Sequence, residues 1–208
     1  MLKLYYAPGA CSQAVHIALH EADIEHHSER VDLGAKQTAS GADYWAINPK
    51  GAVPALDLGD GQVLTENAAI LQFIGDLSGN AALLPVVGDL RRYRVLEWLN
   101  FIATELHKGF GPLWNPASSE DSKQASRDVI AKKFDFAEKH LGNGPFLMGE
   151  AITVADPYLF VMTSWAGKHE IDLARWPGLV AFAQAMRERP AVQIVLRAEG
   201  LVEAEAAS

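Results

Sequence analysis

Residues 48–56 read Asn-Pro-Lys-Gly-Ala-Val-Pro-Ala-Leu, and a polar triplet, Thr65-Glu66-Asn67, follows after a short gap. Because proline cannot donate to a sheet ladder, Pro54 is expected at the start or edge of a strand. The backbone N–H and C=O of Val53 are then free to pair with an extended peptide, and a cis Val53-Pro54 bond would aim them into a cleft. The triplet opens a helix, and its last two side chains could hold the charged end of the same peptide. The stretch therefore predicts a sheet edge that binds a small peptide-like ligand.

The segments on either side of this stretch predict an α/β unit. Apolar side chains recur at helical spacing in two segments, and short apolar runs bounded by turn residues indicate strands. The predicted strands are 2–6, roughly 27–33, 54–58 and 63–65, and the predicted helices are 12–22 and 67–78. The order strand-helix-strand, then hairpin-helix, is typical of a thioredoxin-like unit with a mixed sheet.

The sequence changes character after residue 80. Small residues and glycines predict a linker over 81–88, so the thioredoxin-like domain is assigned to residues 1–80. Glycine and proline then separate a series of helical patterns, over 89–110, 122–141, 153–169, 176–188 and 191–199. The expected fold is therefore α/β plus all-α, with an all-helical domain at residues 89–208.

Composition and charge exclude several kinds of partner. The chain has 208 residues and a formal net charge of −8, which argues against binding to nucleic acid. No apolar run reaches the roughly 18 residues that a membrane-spanning helix needs, and the first residues show no signal-peptide pattern. The single cysteine excludes an internal disulfide framework and fits a reducing compartment. We expect a cytoplasmic protein with no membrane partner.

Cys11 is the first candidate for chemistry, because it lies where the first predicted strand turns into the first helix. Free N–H groups at a helix N-terminus favour a thiolate there, so the sequence predicts a pKa below the ordinary value of about 8.5. A buried structural cysteine is the alternative. The hydroxyls of Tyr6 and Ser12 are rival hydrogen-bond donors to a bound thiolate. The chain has no Cys-x-x-Cys motif, so any redox chemistry needs an outside thiol.

A second candidate is a polar stripe on the long predicted helix 89–110. Asn100, Thr104 and His107 are spaced i, i+4 and i+7, which places them within about 60° of arc on an α-helix. Lys108 extends the stripe with a positive charge. A merely solvated helix face is the alternative interpretation.

Two further motifs are interpreted as structural. His16 and His20 form an i, i+4 pair that could bind a metal, but the sequence offers no evident third ligand, and His26-His27 is expected at the surface of a strand. We therefore predict no metal cofactor. Thr153-Val154-Ala155-Asp156 predicts a capped helix start.

Taken together, these motifs resemble the glutathione transferases, most closely the bacterial beta class with its N-terminal cysteine. The resemblance covers essentially the whole chain. Its most specific parts are residues 8–12, 48–56 and 97–108. It implies a transferase that activates the glutathione thiol for attack on small hydrophobic electrophiles, with glutathione as co-substrate. It also implies a homodimer, a role in detoxification and a helical domain that lines the electrophile site.

The resemblance also implies roles for individual residues. Catalytic roles fall to Cys11, His107 and Tyr6. The implied glutathione-binding residues are Cys11, Lys36 at the glycine carboxylate, Val53 and Pro54 at the cysteinyl part, Glu66 and Asn67 at the γ-glutamyl end, and Asn100, Thr104, His107 and Lys108 around the sulfur. Asn67 departs from the serine or small residue that is common at its position.

Two other functions remain open on the sequence. One is a glutathione-dependent disulfide oxidoreductase that uses Cys11 as a monothiol nucleophile. The other is a non-catalytic transferase-like binding module.

Overall fold

The structure is a computed structural model that describes residues 1–141 and 144–202. Contacts within the chain divide it into two compact units. Of the described residues, the first unit comprises Met1–Asn80 together with residues 187–202, and the second comprises those within Ala81–Met186. Within the described ranges, no helix is long and apolar enough to cross a membrane.

The first unit is built on a mixed five-stranded sheet with the order β3-β2-β1-β4-β5. β1 pairs with β2 in parallel, and the β2–β3, β1–β4 and β4–β5 pairs are antiparallel. The strands are β1 Leu2–Tyr6, β2 His26–Asp32, β3 Gln37–Thr38, β4 Ala55–Asp57 and β5 Val63–Thr65. The thioredoxin-like sheet predicted from the sequence is confirmed, and the two-residue strand β3 was missed.

Helices account for most of the remaining regular structure. They are α1 Gln13–Glu21, α2 Tyr44–Ile47, α3 Asn67–Ser78, α4 Leu90–Phe101, α5 Gly111–Trp114, α6 Glu120–His140, α7 Asp156–Ala166, α8 Pro177–Arg187 and α9 Pro190–Ala198. The predicted α/β plus all-α organisation is therefore confirmed. The predicted bounds of α3, β1 and β5 agree with the structure, and most other predicted helix boundaries shift by one to three residues.

The last helix departs from the predicted domain division at residues 89–208. α9 packs against α1 in the first unit, burying Val192, Val195 and Leu196. Just before α9, Arg189 Nε donates to Glu21 Oε1 at the C-terminal end of α1, at 2.5 Å. An apolar helix face packs wherever a complementary surface lies, which sequence order does not reveal. Residues 203–208, included in that prediction, lie outside the described residues.

The predicted linker, residues 81–88, is partly buried and is not a fully solvated connection. Leu83 and Leu84 are buried, and Leu83 O accepts a hydrogen bond from Val154 N at 3.0 Å. The segment is thus packed into the second unit, where its leucines add to the core.

The predicted helix 89–110 is not a continuous α-helix. α4 ends at Phe101, a π-helix covers Ile102–His107, and a 3₁₀ turn covers Lys108–Phe110. π-Helical i→i+5 bonding adds a residue to the turn and rotates every later side chain relative to α-helical geometry. The assumption of 100° per residue behind the predicted polar stripe is therefore wrong after Phe101.

Candidate functional site

The loop between β1 and α1 fixes the position of Cys11. Ala10 N donates to Ala7 O at 3.1 Å, and Ser12 Oγ accepts from Ala7 N, also at 3.1 Å. Gly9 has a φ of 66°, in the left-handed region that glycine tolerates best, and its N–H donates to Glu199 Oε2 at 2.9 Å. Ser12 is fully buried and bonded within this loop, so its geometry supports a structural role and gives no support to the rival donor role predicted for it.

The Cys11 sulfur lies beside Val53, within the predicted ligand-binding stretch 48–56. Its Sγ–H donates to Val53 O at 3.2 Å. Burial raises the pKa of the thiol to about 11, although the Asn67 side chain and nearby backbone N–H groups favour the thiolate. The lowered pKa predicted from the helix N-terminus is therefore wrong. α1 begins only at Gln13, and the loss of hydration at Cys11 outweighs the hydrogen bonds.

This pKa predicts a steep pH dependence of alkylation by iodoacetamide. With a pKa of about 11, only about one thiol in 10⁴ is ionised at pH 7, so the rate should rise about tenfold per pH unit between pH 7 and 10. Because the unfolded-state pKa is lower, the folded protein holds this proton more tightly. Its stability should therefore fall as the pH rises from about 8.5 towards 11. Since Cys11 is the only cysteine, mass spectrometry reports it directly, and a rate that levels off below pH 8 would contradict the assignment.

Val53 precedes β4 and presents its backbone next to Cys11. The Val53-Pro54 bond is cis, as expected. The preceding carbonyl, Ala52 O, accepts from Tyr44 Oη at 2.8 Å and from Asn48 Nδ2 at 2.6 Å. Within the described chain, Val53 N–H makes no hydrogen bond. Tyr44 and Asn48 thus fix the backbone before Val53, so that the Val53 N–H lies close to the Cys11 thiol and is available to a ligand.

Lys36 lies next to the backbone that leads into Val53. Its Nζ donates to Gly51 O at 2.7 Å and lies 5.4 Å from the centre of the Trp45 ring. Gly51 has a φ of 60°, and a Cβ there would lie 2.6 Å from the Trp45 ring. A glycine is therefore required for the close approach of backbone, ring and ammonium group.

Glu66 and Asn67 lie at the N-terminus of α3, as predicted. Glu66 has a φ of 73° and is exposed, and its Oε1 accepts from Lys50 Nζ at 2.5 Å. Asn67 is buried, and its side chain lowers the pKa of the Cys11 thiol against the larger effect of burial. Its Oδ1 has no hydrogen-bond partner in the described ranges. An unpaired buried amide oxygen costs about 1–3 kcal/mol, which indicates that a donor from outside the chain belongs there.

Tyr6 lies on a different face of the sheet from the Cys11–Val53 contact. Side chains alternate along a strand, so Tyr5 packs with Tyr44 in the buried cluster around Val53. The ring of Tyr6 instead packs against His16, with 5.1 Å between centroids. The catalytic role of Tyr6 stays a prediction, and this contact does not support it.

In the second unit the predicted stripe divides into two environments. His107 Nδ1 lies 2.6 Å from Tyr158 Oη, and its ring packs edge-on against Trp165. Asn100, Thr104 and Lys108 are exposed, and the first two bond to helix carbonyls on their own helix. Only His107 is held by tertiary contacts.

Comparisons with known proteins agree with this geometry. The family model "Glutathione S-transferase, N-terminal domain" matches residues 9–77, and "Glutathione S-transferase, C-terminal domain" matches residues 101–190. Glutathione S-transferase GstA of Escherichia coli O157:H7 is 45% identical over 200 residues, covering 96% of this chain and 100% of the relative. The chain belongs to the glutathione S-transferase family.

Solved structures place this family member among bacterial relatives. A beta-class glutathione S-transferase from Sphingomonas chungbukensis is 42% identical, with a TM-score of 0.92, and the match covers 96% of this chain and 100% of that one. A sphingomonad glutathione S-transferase complexed with glutathione is 43% identical, with a TM-score of 0.91 and the same coverage. The protein is thus an enzyme of the glutathione S-transferase class.

In each unit of this glutathione S-transferase, sequence reasoning missed the partner of one predicted site residue. Lys50 lies inside the quoted stretch, and its pairing with Glu66 could have been suspected from charge alone. Tyr158 carries no such signal, because its contact with His107 joins residues 51 positions apart.

Proposed function

We propose that the first unit binds glutathione as an extended peptide, with its cysteinyl part paired to the backbone of Val53. The proposal depends chiefly on the Cys11 Sγ–Val53 O contact of 3.2 Å. A peptide bound to the Val53 backbone brings its own sulfur beside that of Cys11. Such pairing uses main-chain hydrogen bonds for affinity. The sphingomonad relative described as complexed with glutathione supports this choice of ligand.

The charged groups around Val53 suit the two ends of this tripeptide. Glu66 pairs with the γ-glutamyl ammonium group, and the first N–H groups of α3 donate hydrogen bonds to the γ-glutamyl carboxylate. Asn67 Oδ1, buried without a partner, takes a donor from the same end. Lys36 moves from Gly51 O to the glycine carboxylate, and Lys50 adds positive charge in a protein of net charge −8.

The reaction we propose is nucleophilic attack by the glutathione thiolate on a small hydrophobic electrophile. A sulfur lone pair forms the new C–S bond, the leaving group departs with its electron pair, and the thiol proton goes to solvent or a base. The enzyme contributes positioning and stabilisation of the sulfur anion. Asn100, Thr104, His107 and Lys108 keep the sulfur- and electrophile-lining roles that the family resemblance implies. Contact with Tyr158 supports His107 as the oriented member of this group.

A disulfide oxidoreductase is the alternative that the thiol chemistry allows. In that reaction the Cys11 thiolate attacks a glutathione mixed disulfide, forms a new disulfide with one sulfur and releases the other as a thiolate. The raised pKa of Cys11 favours transfer over this route. Turnover of an aryl halide should therefore exceed turnover of a small mixed disulfide at pH 7, and the reverse order would favour the oxidoreductase. Failure to bind immobilised glutathione would instead favour a non-catalytic module.

We also propose that the enzyme is a cytoplasmic homodimer that detoxifies electrophiles. Light scattering on the purified protein would measure the dimer. The half-buried Phe101 and the exposed Phe136, whose rings lie 4.8 Å apart in the second unit, suit burial at a subunit interface.

Glu66→Gln should weaken glutathione binding by about 10–100-fold. The substitution removes the charge that pairs with the glutathione ammonium group, and a hydrogen bond to a charged group contributes roughly 1.5–3 kcal/mol. Isothermal titration calorimetry would measure the dissociation constant. Glu97→Gln is the matched control, because Glu97 is also exposed and paired, with Arg94 at 2.8 Å. Equal effects of the two variants would contradict a specific role for Glu66.

A further inference from the structure

Three histidines of the first unit converge away from the Cys11–Val53 contact. His16 and His20 lie on α1 and His26 lies on β2, and one ring nitrogen from each falls within 4.8 Å of the other two. The sequence analysis found no third ligand for the His16–His20 pair. The fold supplies it, because His26, paired with Leu2 at the start of β2, packs its ring against those of His16 and His20.

The ring of His16 is held by a buried carboxylate. Its Nδ1 lies 3.0 Å from Glu199 Oε1, whose other oxygen accepts from Gly9 N and Gln13 Nε2. Because a carboxylate accepts hydrogen bonds, Nδ1 is the donor, and a neutral His16 ring then presents the lone pair of Nε2, which lies 3.2 Å from Ser28 Oγ. A carboxylate behind a histidine ring is the usual outer-shell arrangement of metal-binding histidines.

The other two rings are also prepared for coordination. His26 Nδ1 lies 2.8 Å from Ile24 O, and since a carbonyl only accepts, this nitrogen is the donor and Nε2 keeps its lone pair. His20 makes no hydrogen bond through its ring in the part of the chain that the structure describes.

We propose that His16, His20 and His26 form a binding site for one divalent transition-metal ion, Zn²⁺ in the first instance. Three imidazoles suit Zn²⁺, Ni²⁺ and Cu²⁺ and do not suit Mg²⁺ or Ca²⁺. A tetrahedral ion with Zn–N distances of about 2.0–2.1 Å needs its nitrogens about 3.4 Å apart. The rings must close by at most about 1.4 Å, and His20 and His26, both only half-buried, have room to do so. The fourth position is left for water or an outside ligand.

The site links two elements that carry the candidate glutathione site. His16 lies one turn into α1, the helix that follows Cys11, and Glu199 bonds both His16 and the Gly9 N–H of the Cys11 loop. Metal binding therefore fastens α1 to β2. It should raise the melting temperature of the first unit, because an ion that binds only the folded state stabilises it. The proposal is independent of the proposed glutathione chemistry.

Zinc titration of the full chain, stripped of metal and free of glutathione, tests the site. We use Cys11→Ser protein throughout, because a thiol is itself a zinc ligand. Competition with a chromogenic chelator should give one ion per chain, and His20→Ala and His26→Ala should each weaken binding at least 100-fold. His27→Ala is the matched control, because His27 neighbours His26 on β2 but is exposed and outside the cluster, and it should leave the affinity unchanged.

Co²⁺ provides a second measurement that requires no histidine variant. The Cys11→Ser protein should give the intense visible absorption of four-coordinate Co²⁺. Absence of zinc binding in this protein, or equal zinc affinities in His20→Ala and His27→Ala, would overturn the site. A weak octahedral Co²⁺ spectrum would also overturn it, even if a histidine variant failed to fold.

Discussion

Cys11→Ser should abolish the mixed disulfide with glutathione while leaving conjugation of an aryl halide within about threefold of the wild-type rate. The first effect is complete because Cys11 is the only cysteine. The second follows from the raised pKa, about 11, which makes Cys11 a neutral S–H donor at pH 7. A serine hydroxyl replaces that donor in the same place. Incubation with oxidised glutathione at pH 9 followed by mass spectrometry measures the disulfide, and steady-state kinetics measure conjugation.

Cys11→Ala separates donation of a hydrogen bond from formation of a disulfide. Alanine offers no donor, so kcat/KM for conjugation should fall by about 10–100-fold, the value of one hydrogen bond to a charged sulfur. If both variants lose all conjugation, the Cys11 sulfur itself takes part in the chemistry, and the oxidoreductase interpretation gains support. If both keep full activity, Cys11 does not assist the glutathione thiolate.

Asp156→Asn should lower the free energy of unfolding by about 3 kcal/mol. The Asp156 carboxylate is fully buried and accepts three hydrogen bonds of 2.7 Å, from Leu147 N, Thr153 N and Thr153 Oγ1. Burial raises its pKa to about 6 against the effect of these donors, so it is a carboxylate at pH 7. Asparagine presents an NH₂ group to at least one of these donors. The surrounding core then holds two donors face to face without an acceptor.

Thermal and urea unfolding of the full chain measure this loss. For a chain of this size, 3 kcal/mol corresponds to a fall in Tm of about 6–12 °C. Asp121→Asn is the matched control, because Asp121 is an exposed residue in the first turn of α6, and it should change stability by less than about 0.5 kcal/mol. Equal losses in the two variants would show that the buried acceptor does not stabilise the second unit.

The sequence allowed most of the first unit's architecture to be predicted, because its signals are local. Alternating apolar runs indicated β1 and β2, and the polar triplet after the hairpin placed the start of α3 at Asn67. The interruption of the helix after Phe101 was not predictable, since an i→i+5 turn leaves no pattern that distinguishes it from an α-helix. The spacing of 100° per residue assumed for the predicted polar stripe does not hold beyond Phe101 for that reason.

The candidate site was predictable in its residues but not in its electrostatics. The position of Cys11 in the chain indicated a helix N-terminus and hence a lowered pKa, whereas burial beside Val53 raises it. The burial of the Cys11 thiol depends on residues that are distant in sequence, such as Val53, 42 positions away. A local sequence pattern therefore cannot predict it. The convergence of His26 on His16 and His20 was not predictable for the same reason, because it depends on the pairing of β2 with β1 and not on a local sequence pattern.

The packing of α9 on α1 has a consequence for biosynthesis. A ribosome releases residues 1–80 long before it makes Arg189, which pairs with Glu21, and Glu199, which secures Gly9 and His16. During synthesis the sheet and α1 are therefore exposed without α9 while the middle of the chain emerges from the ribosome and becomes able to fold. The sheet is therefore synthesised before the helices of the second unit and completed only after they have been made.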